Sequence, residues 1–344
     1  MRPTDSELVA DMLDEYGRRV RVAMAEYLGP REPRRYLYNL VADYPRRGGR
    51  MLRPSLCLAT ARALGAGEDD AVRTAVAIEI LHNAFLVHDD VEDESDTRRG
   101  RPTLNAVHGS PTAVNVGDAL IFLGLKALLD NVEQLGLSLA MRVLIDAEQM
   151  VRETVEGQSI ELGWRRDNAI HQRESDYLNM ILKKTCWYTT IFPMRAGALI
   201  ASRGEVDLDR FIRFGFFAGA AFQIQDDLLN LIGDPAKYGK EINGDIQEGK
   251  RTLMLIHLLE HVSADERVRL ADILSRPRQE RGVEDVAWIR DRMEAHMSIP
   301  YAQRVAHGLA GAAQHAFEEV FGSVPDSRDR RFVRGVVRWA LART

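Results

Sequence analysis

Cysteine is nearly missing from this chain. Cys57 and Cys186 are the only two in 344 residues, each inside an apolar stretch. That argues against a disulfide framework or a cysteine-rich metal site and predicts two buried thiols in a reducing compartment. A surplus of basic charge is missing too: 46 Lys and Arg face 51 Asp and Glu, for a net charge of -5. No basic face is therefore expected for nucleic acid, and an anionic ligand must be held by local clusters. No uncharged apolar run approaches about 18 residues, and residues 1–15 are polar and acidic without the apolar stretch of a signal sequence. The expectations are no membrane span, no secretion signal and a cytoplasmic protein. Strict apolar and polar alternation is absent, which argues against an extended sheet. The lack of any repeat of roughly 20 to 50 residues argues against a solenoid.

What is present is helical. Hydrophobic residues make up 45% of the chain and charged residues 28%, enough to fill a large core and too apolar for disorder. Apolar positions recur three and four apart almost everywhere, as in Val72, Val76, Ile80, Asn83 and Val87, which is the period of an α-helix with a buried face. Thr4-Asp-Ser-Glu7 has the form of a capping box opening a first helix, and residues 45–49 punctuate the way into another. Further breaks fall at residues 65–69, 98–102, 163–168, 233–249, 275–282 and 322–328, none read as an interdomain linker. The expectation is an all-α, single-domain antiparallel helical bundle over residues 1–344.

Two acidic clusters interrupt this pattern. Residues 81–100 read LHNAFLVHDDVEDESDTRRG, and the helical phase places Asp89 and Asp93 at i, i+4 and Asp90 and Asp93 at i, i+3. Like charges so spaced destabilise a helix by about 0.2 to 0.5 kcal/mol per pair, so a helix keeps them in solvent or around a cation. For an isolated acidic run the solvated face is the stronger reading. This run ends an apolar helix face and is followed at once by Arg98 and Arg99, which favours a cation. Carboxylate oxygens suit Mg²⁺, which binds through one or two carboxylates plus substrate phosphates. An EF-hand is a poor match, because no register puts glycine at the sixth position.

Residues 222–252 repeat the geometry with Asp226, Asp227 and Asn230 on one helix face and Gln223 one turn earlier. Two such clusters can face each other across a bundle, and the glycine-rich loop that follows brings Lys240, Asp245 and Lys250 near the same end. Arg50 and Arg53, at i, i+3, are spaced to grip a phosphate with bidentate hydrogen bonds, or they simply begin a surface helix. Lys184, ahead of Thr185, either snorkels from an apolar helix or reaches a phosphate.

Taken together, these motifs resemble the trans-isoprenyl diphosphate synthase family over about residues 47–259, with Asp89-Asp90-Val-Glu-Asp93 and Asp226-Asp227-Leu-Leu-Asn230 as its two aspartate-rich motifs. The resemblance implies a helical bundle, usually a homodimer, around a deep apolar central cavity that holds the growing chain. It implies three Mg²⁺ ions on Asp89, Asp93 and Asp226, binding an allylic diphosphate with Arg98, Lys184 and Lys240. Isopentenyl diphosphate would lie beside it on Arg50, Arg53, His82 and Arg99. The Gln223 carbonyl and the Thr185 hydroxyl would stabilise the allylic cation, and the released diphosphate would take the final proton. Gln158 looks like a family position without an assigned role. Two departures are Arg50, where the family usually has Lys, and Asn230, where it has a third Asp. Asn230 keeps an oxygen donor while losing a charge.

The residue one turn before Asp89 is Phe85, with Ala84 beside it, and aromatic bulk at these positions shortens the product in this family. Phe85 is either plain core or part of the cavity floor. One aromatic and one small residue point to geranylgeranyl diphosphate as product. Two rivals stay open: a terpene cyclase on the same scaffold, which needs no second diphosphate pocket, and a silent partner subunit, which should have lost its carboxylates. Trp187 and Tyr188 read as core. The basic run Arg330, Arg331, Arg334, Arg338 and Arg343 reads as a solvated helix face more readily than as a cover over the diphosphates.

Overall fold

A computed structural model describes residues 5–67, 69–233 and 242–343, and apart from one small hairpin every regular element in them is helical. The principal helices are α1 (Asp5–Tyr27), α2 (Leu52–Ala63), α3 (Val72–Glu92), α4 (Ser110–Leu135), α5 (Leu137–Arg166), α6 (Glu174–Ile181), α7 (Phe192–Ala201) and α8 (Arg210–Ile232). They continue with α9 (Gly244–Glu248), α10 (Leu253–His261), α11 (Ala264–Ser275), α12 (Val283–Ala295), α13 (Ser298–Phe321) and α14 (Arg328–Leu341). Local chemistry sets several helix starts. Thr252 caps α10 by accepting from the Leu255 backbone N–H, Ser263 and Glu266 form a reciprocal capping box on α11, and Ser327 caps α14. Thr4, expected to cap the first helix, lies outside the described residues.

The all-α expectation holds. α3 packs along α4, α8 along α13 and α2 against α7, and buried side chains from Leu8 to Val337 form a continuous apolar core. Cys57 and Cys186 are both buried free thiols, and burial pushes the Cys57 thiol up to about 12. Among the described residues, α4 alone is long and apolar enough to cross a bilayer, by length and composition only. Asp118, Lys126 and Asp130 punctuate it, so it holds no long uncharged run; it packs on α3, and Lys126 pairs with Asp130 one turn on.

Two local irregularities position the site. Between α6 and α7 the chain widens into a π-helical stretch, Leu182–Ile191, a form frequent at functional sites. It lies between α5 and α8 at close range. A Cβ on Gly157 of α5 would sit 2.2 Å from the Lys184 backbone nitrogen, so glycine is required for that approach. The other irregularity is the hairpin, Thr97–Arg98 paired antiparallel with Arg101–Pro102, around a turn in which Arg99 has φ 54° and Gly100 φ 70°. The sequence marked residues 98–102 only as a break.

Candidate active site

The acidic C-terminal end of α3, the C-terminal half of α8 and the π stretch open onto one cavity of about 1040 Å³. Asp89, Asp226, Asp227, Lys184, Thr185, Gln223 and Lys250 all line it, as do Arg50, Arg53, His82, Phe85, Arg98 and Arg99. Residues separated by nearly 300 positions in sequence thus share one wall. Lys240 lies outside the described residues.

Four of the expected site residues, Asp90, Asn230, Ala84 and Asp93, do not line the cavity. Asp90 is fully buried and accepts from Arg98 Nε at 2.8 Å and from the Tyr44 hydroxyl, so its oxygens fix Arg98. Asn230 accepts from the Asp245 backbone N–H at 3.0 Å through its side chain and from the Asn243 N–H at 2.7 Å through its carbonyl. It ties α8 to the following loop. Ala84 is fully buried in the core, leaving Phe85 as the member of that pair on the cavity wall.

Asp93 is 1% exposed, pairs with Lys250 at 2.6 Å and with Arg165, and is also absent from the lining. Burial pushes its pKa up, and the Lys250 ammonium opposes that. Lys250 reaches Glu248 at 2.7 Å as well. Burial would weaken its charge, but Asp93 and Glu248 outweigh this and hold its pKa well above the usual lysine range. Arg98 contacts Asp89 at 3.4 Å, and Lys184 lies between Asp89, at 3.4 Å, and Glu161.

On the opposite side a relay of hydrogen bonds orders the second motif. Thr185 Oγ1 donates to Gln223 Oε1 at 3.0 Å, Gln223 Nε2 donates to Asp227 Oδ1 at 2.7 Å, and the Tyr177 hydroxyl donates to Asp227 Oδ2 at 2.7 Å. Burial raises the Asp227 carboxyl to about 7 while those two donors pull it down. Beside the relay, Arg343 Nη1 is 3.4 Å from Asp226 Oδ1 and its guanidinium lies 4.2 Å from the centre of the Phe222 ring. The basic final segment, read mainly as solvated, therefore brings Arg343 and Trp339 onto the cavity wall, because α14 docks on α8, α2 and α1.

A second, cationic pocket adjoins these carboxylates. Arg53 donates to the Tyr188 hydroxyl at 2.9 Å, lies over that ring at 4.4 Å and meets His82 Nε2 at 3.3 Å. Arg50 lies over Trp339 at 5.3 Å, and Arg99 donates to the Tyr44 carbonyl at 3.0 Å. Beneath them is Glu79, 3% exposed. Burial raises its pKa and Arg99 and Arg53 oppose that, so an acidic side chain is buried among these cations.

Several wall residues escaped the sequence reading. Glu79 and Glu161 sit in stretches that read as ordinary amphipathic helix, and Tyr188, which reads as core in the sequence, packs edge-on to Phe85 at 5.6 Å beside Arg53. Trp187 is core, 5% exposed. The retrievable signal was the spacing of Gln158, Glu161 and Arg165 at three and four residues on α5.

Comparison with known proteins bears on this geometry. The family model for polyprenyl synthetase matches residues 34–293. The short chain isoprenyl diphosphate synthase of Methanothermobacter thermautotrophicus is 34% identical over 227 residues, covering 66% of this chain and 68% of that one. The crystal structure of geranylgeranyl pyrophosphate synthetase from Pyrococcus horikoshii superposes with a TM-score of 0.85 at 29% identity, covering 98% of this chain and 99% of the other. Geranylgeranyl pyrophosphate synthase from Corynebacterium glutamicum, solved with isoprenyl diphosphate and magnesium, gives 0.76 at 25% identity over 99% of both chains. Further relatives are named geranylgeranyl, geranylfarnesyl, octaprenyl and nonaprenyl diphosphate synthases. The chain belongs to the polyprenyl synthetase family, and by class it is a trans-prenyltransferase.

Proposed function

We propose that this protein condenses isopentenyl diphosphate with an allylic diphosphate to make a linear trans-prenyl diphosphate, with geranylgeranyl diphosphate as the product. The observation that carries this reading is one cavity with two anion sites, a carboxylate and lysine site around Asp89, Asp226 and Lys184 and a carboxylate-poor site of Arg50, Arg53, His82 and Arg99. A cyclase needs only the first.

The donor set fits a hard divalent cation. Among the described residues no three His, Cys or acidic side chains converge on one point. Separate carboxylates on one cavity wall suit Mg²⁺, which takes one or two carboxylates and completes its shell with phosphate oxygens and water. Asp89, Asp226 and Asp227 would hold such ions, three per site with the allylic diphosphate in place, with Asp93 joining if Lys250 and Arg165 let go. When bound, the metal supplies neutralisation of the departing diphosphate.

The chain's own groups do the rest. Lys184, Lys250 and Arg98 hold the allylic diphosphate, while Arg50, Arg53, Arg99 and His82 hold isopentenyl diphosphate. Gln223 Oε1 and Thr185 Oγ1, 3.0 Å apart, present oxygen dipoles to the allylic cation. Apolar side chains such as Leu86, Ile121, Val151 and Met180 line the cavity and keep water from that cation. Phe85 supplies the bulk that limits elongation.

The active form is a homodimer. Phe122, Leu129, Leu137 and Ile145 are 70%, 48%, 66% and 62% exposed on α4 and α5, an apolar face suited to a second copy. Two buried thiols suit a reducing cytoplasm. The deciding experiment supplies Mg²⁺, labelled isopentenyl diphosphate and one primer at a time: dimethylallyl, geranyl or farnesyl diphosphate. Linear products lost on chelation support the reading. Cyclic hydrocarbons, or no incorporation by folded protein, move the cyclase or the silent subunit to first place.

A further inference from the structure

One stripe of α5 faces the acidic end of α3. Gln158, Glu161 and Arg165 share a helix face by their spacing; Gln158 donates to Glu92, Arg165 pairs with Asp93, and Glu161 pairs with Lys184. The middle contact differs from its neighbours because Lys184 is shared. Its Nζ is 3.4 Å from Asp89 Oδ1 but in direct hydrogen-bonding contact with Glu161 Oε2, so the ammonium lies on the Glu161 side. The backbone enforces this. Gly157, one turn before Glu161, lets the π stretch close to backbone distance at Lys184 and thereby sets the lysine beside α5.

We propose that Glu161 is a positioning residue that draws the Lys184 ammonium away from Asp89 and so weakens its competition with a divalent cation for that carboxylate. The proposal deepens the prenyltransferase reading and rests on it for the identity of Asp89 as a metal ligand. An ammonium and a metal ion compete for the same carboxylate oxygens. Glu161 is 6% exposed and lines the cavity, where water screens such competition weakly. With its charge removed, the ammonium has Asp89 as its remaining carboxylate partner.

The test is a double-mutant cycle read by Mn²⁺ binding, followed by electron paramagnetic resonance on the full-length protein without substrate. Glu161→Gln should weaken Mn²⁺ binding about three- to tenfold, and the same change in a Lys184→Gln background should alter it less than about twofold, since the competitor is gone. Lys184→Gln alone should bind Mn²⁺ at least as tightly as the wild type, which keeps the idea testable should Glu161→Gln fail to fold. Glu161→Asp should restore affinity to within about twofold of wild type. Equal losses in both backgrounds would mean that Glu161 meets the metal itself or acts as diffuse charge, and would overturn the proposal, as would an unchanged Glu161→Gln or a weakened Lys184→Gln. No turnover enters the readout. A protein that binds Mn²⁺ with the predicted cycle yet adds no isopentenyl unit sinks the proposed function and not this one.

Discussion

The Arg343 guanidinium lies against the carboxylate of Asp226, 3.4 Å away, and its Nη2 donates to the Phe222 carbonyl at 3.4 Å. The end of α14 is thus tied to the second aspartate-rich motif, and a cation sits where a metal ion is expected. Arg343→Ala removes one competitor for Asp226. Exposed pairs are worth about 0 to 1 kcal/mol, and this one is largely buried, so the Mg²⁺ concentration for half-maximal rate should fall about two- to fivefold. A magnesium titration of the initial rate measures it; an unchanged or higher requirement would show that Arg343 serves the substrate and leaves the metal alone.

Gly157 carries a prediction of a different kind. Replacing it with Ala gains helix propensity of about 1 kcal/mol but places a Cβ against the Lys184 backbone, and overpacking of that sort costs about 1 to 3 kcal/mol. The backbone cannot rotate away as a side-chain tip can. Gly157→Ala should therefore lower stability by up to about 2 kcal/mol in urea unfolding. It should also raise KM for the allylic diphosphate more than for isopentenyl diphosphate, because Lys184 is displaced while Arg53 and Arg99 are not.

How much of this was legible beforehand follows from range. Helices announce themselves by period: Val76 and Ile80 are fully buried on the inner face of α3, and Val72 packs partly buried against the same core. Asp89 and Asp226 were legible because paired carboxylates that end an apolar face are costly without a partner. The hairpin that aims Arg98 and Arg99 was visible only as a break, since two residues per strand show no alternation. For Asp90 and Asn230, spacing gives the face of a helix and not the tertiary group that meets it: Tyr44 and Arg98 for Asp90, and the Asp245 N–H for Asn230. Glu161 and Arg343 were illegible for the same reason, their partners being 23 and 117 residues away.

Acid should weaken the protein partly through His257. Its ring stacks on His261 at 4.0 Å and on Tyr301 at 4.2 Å, and burial, then the charges of His261 and Arg304, lower its pKa to about 4. Folded His257 therefore resists a proton that the unfolded chain accepts near pH 6.5. The stabilisation is complete above that value and is lost as the pH falls from about 6.5 toward about 4. After discounting for solvent screening at this partly exposed ring, about 1 kcal/mol is at stake. His257→Gln should flatten the wild-type loss of stability between pH 7 and 5 by that amount, as measured by denaturant unfolding at each pH. Identical slopes would rule His257 out as the titrating group.

Phe85 offers the clearest reading of product length. It stands one turn before Asp89 and packs edge-on to Tyr188 at 5.6 Å, with Leu86, Ile121 and Val151 also on the cavity wall. Phe85→Ala removes a ring from the wall and opens space into which an isoprenoid can grow, so the main product should lengthen by at least one five-carbon unit. The fold should bear the loss at about 1 to 3 kcal/mol, below the full cost of a completely buried phenylalanine, because this ring is only partly buried. Phe85→Trp should do the reverse and shorten the product. Mass spectrometry of the dephosphorylated alcohols distinguishes these outcomes. If both variants keep the wild-type product, the limit to growth is set by other side chains, with Ile121 and Val151 next to be exchanged.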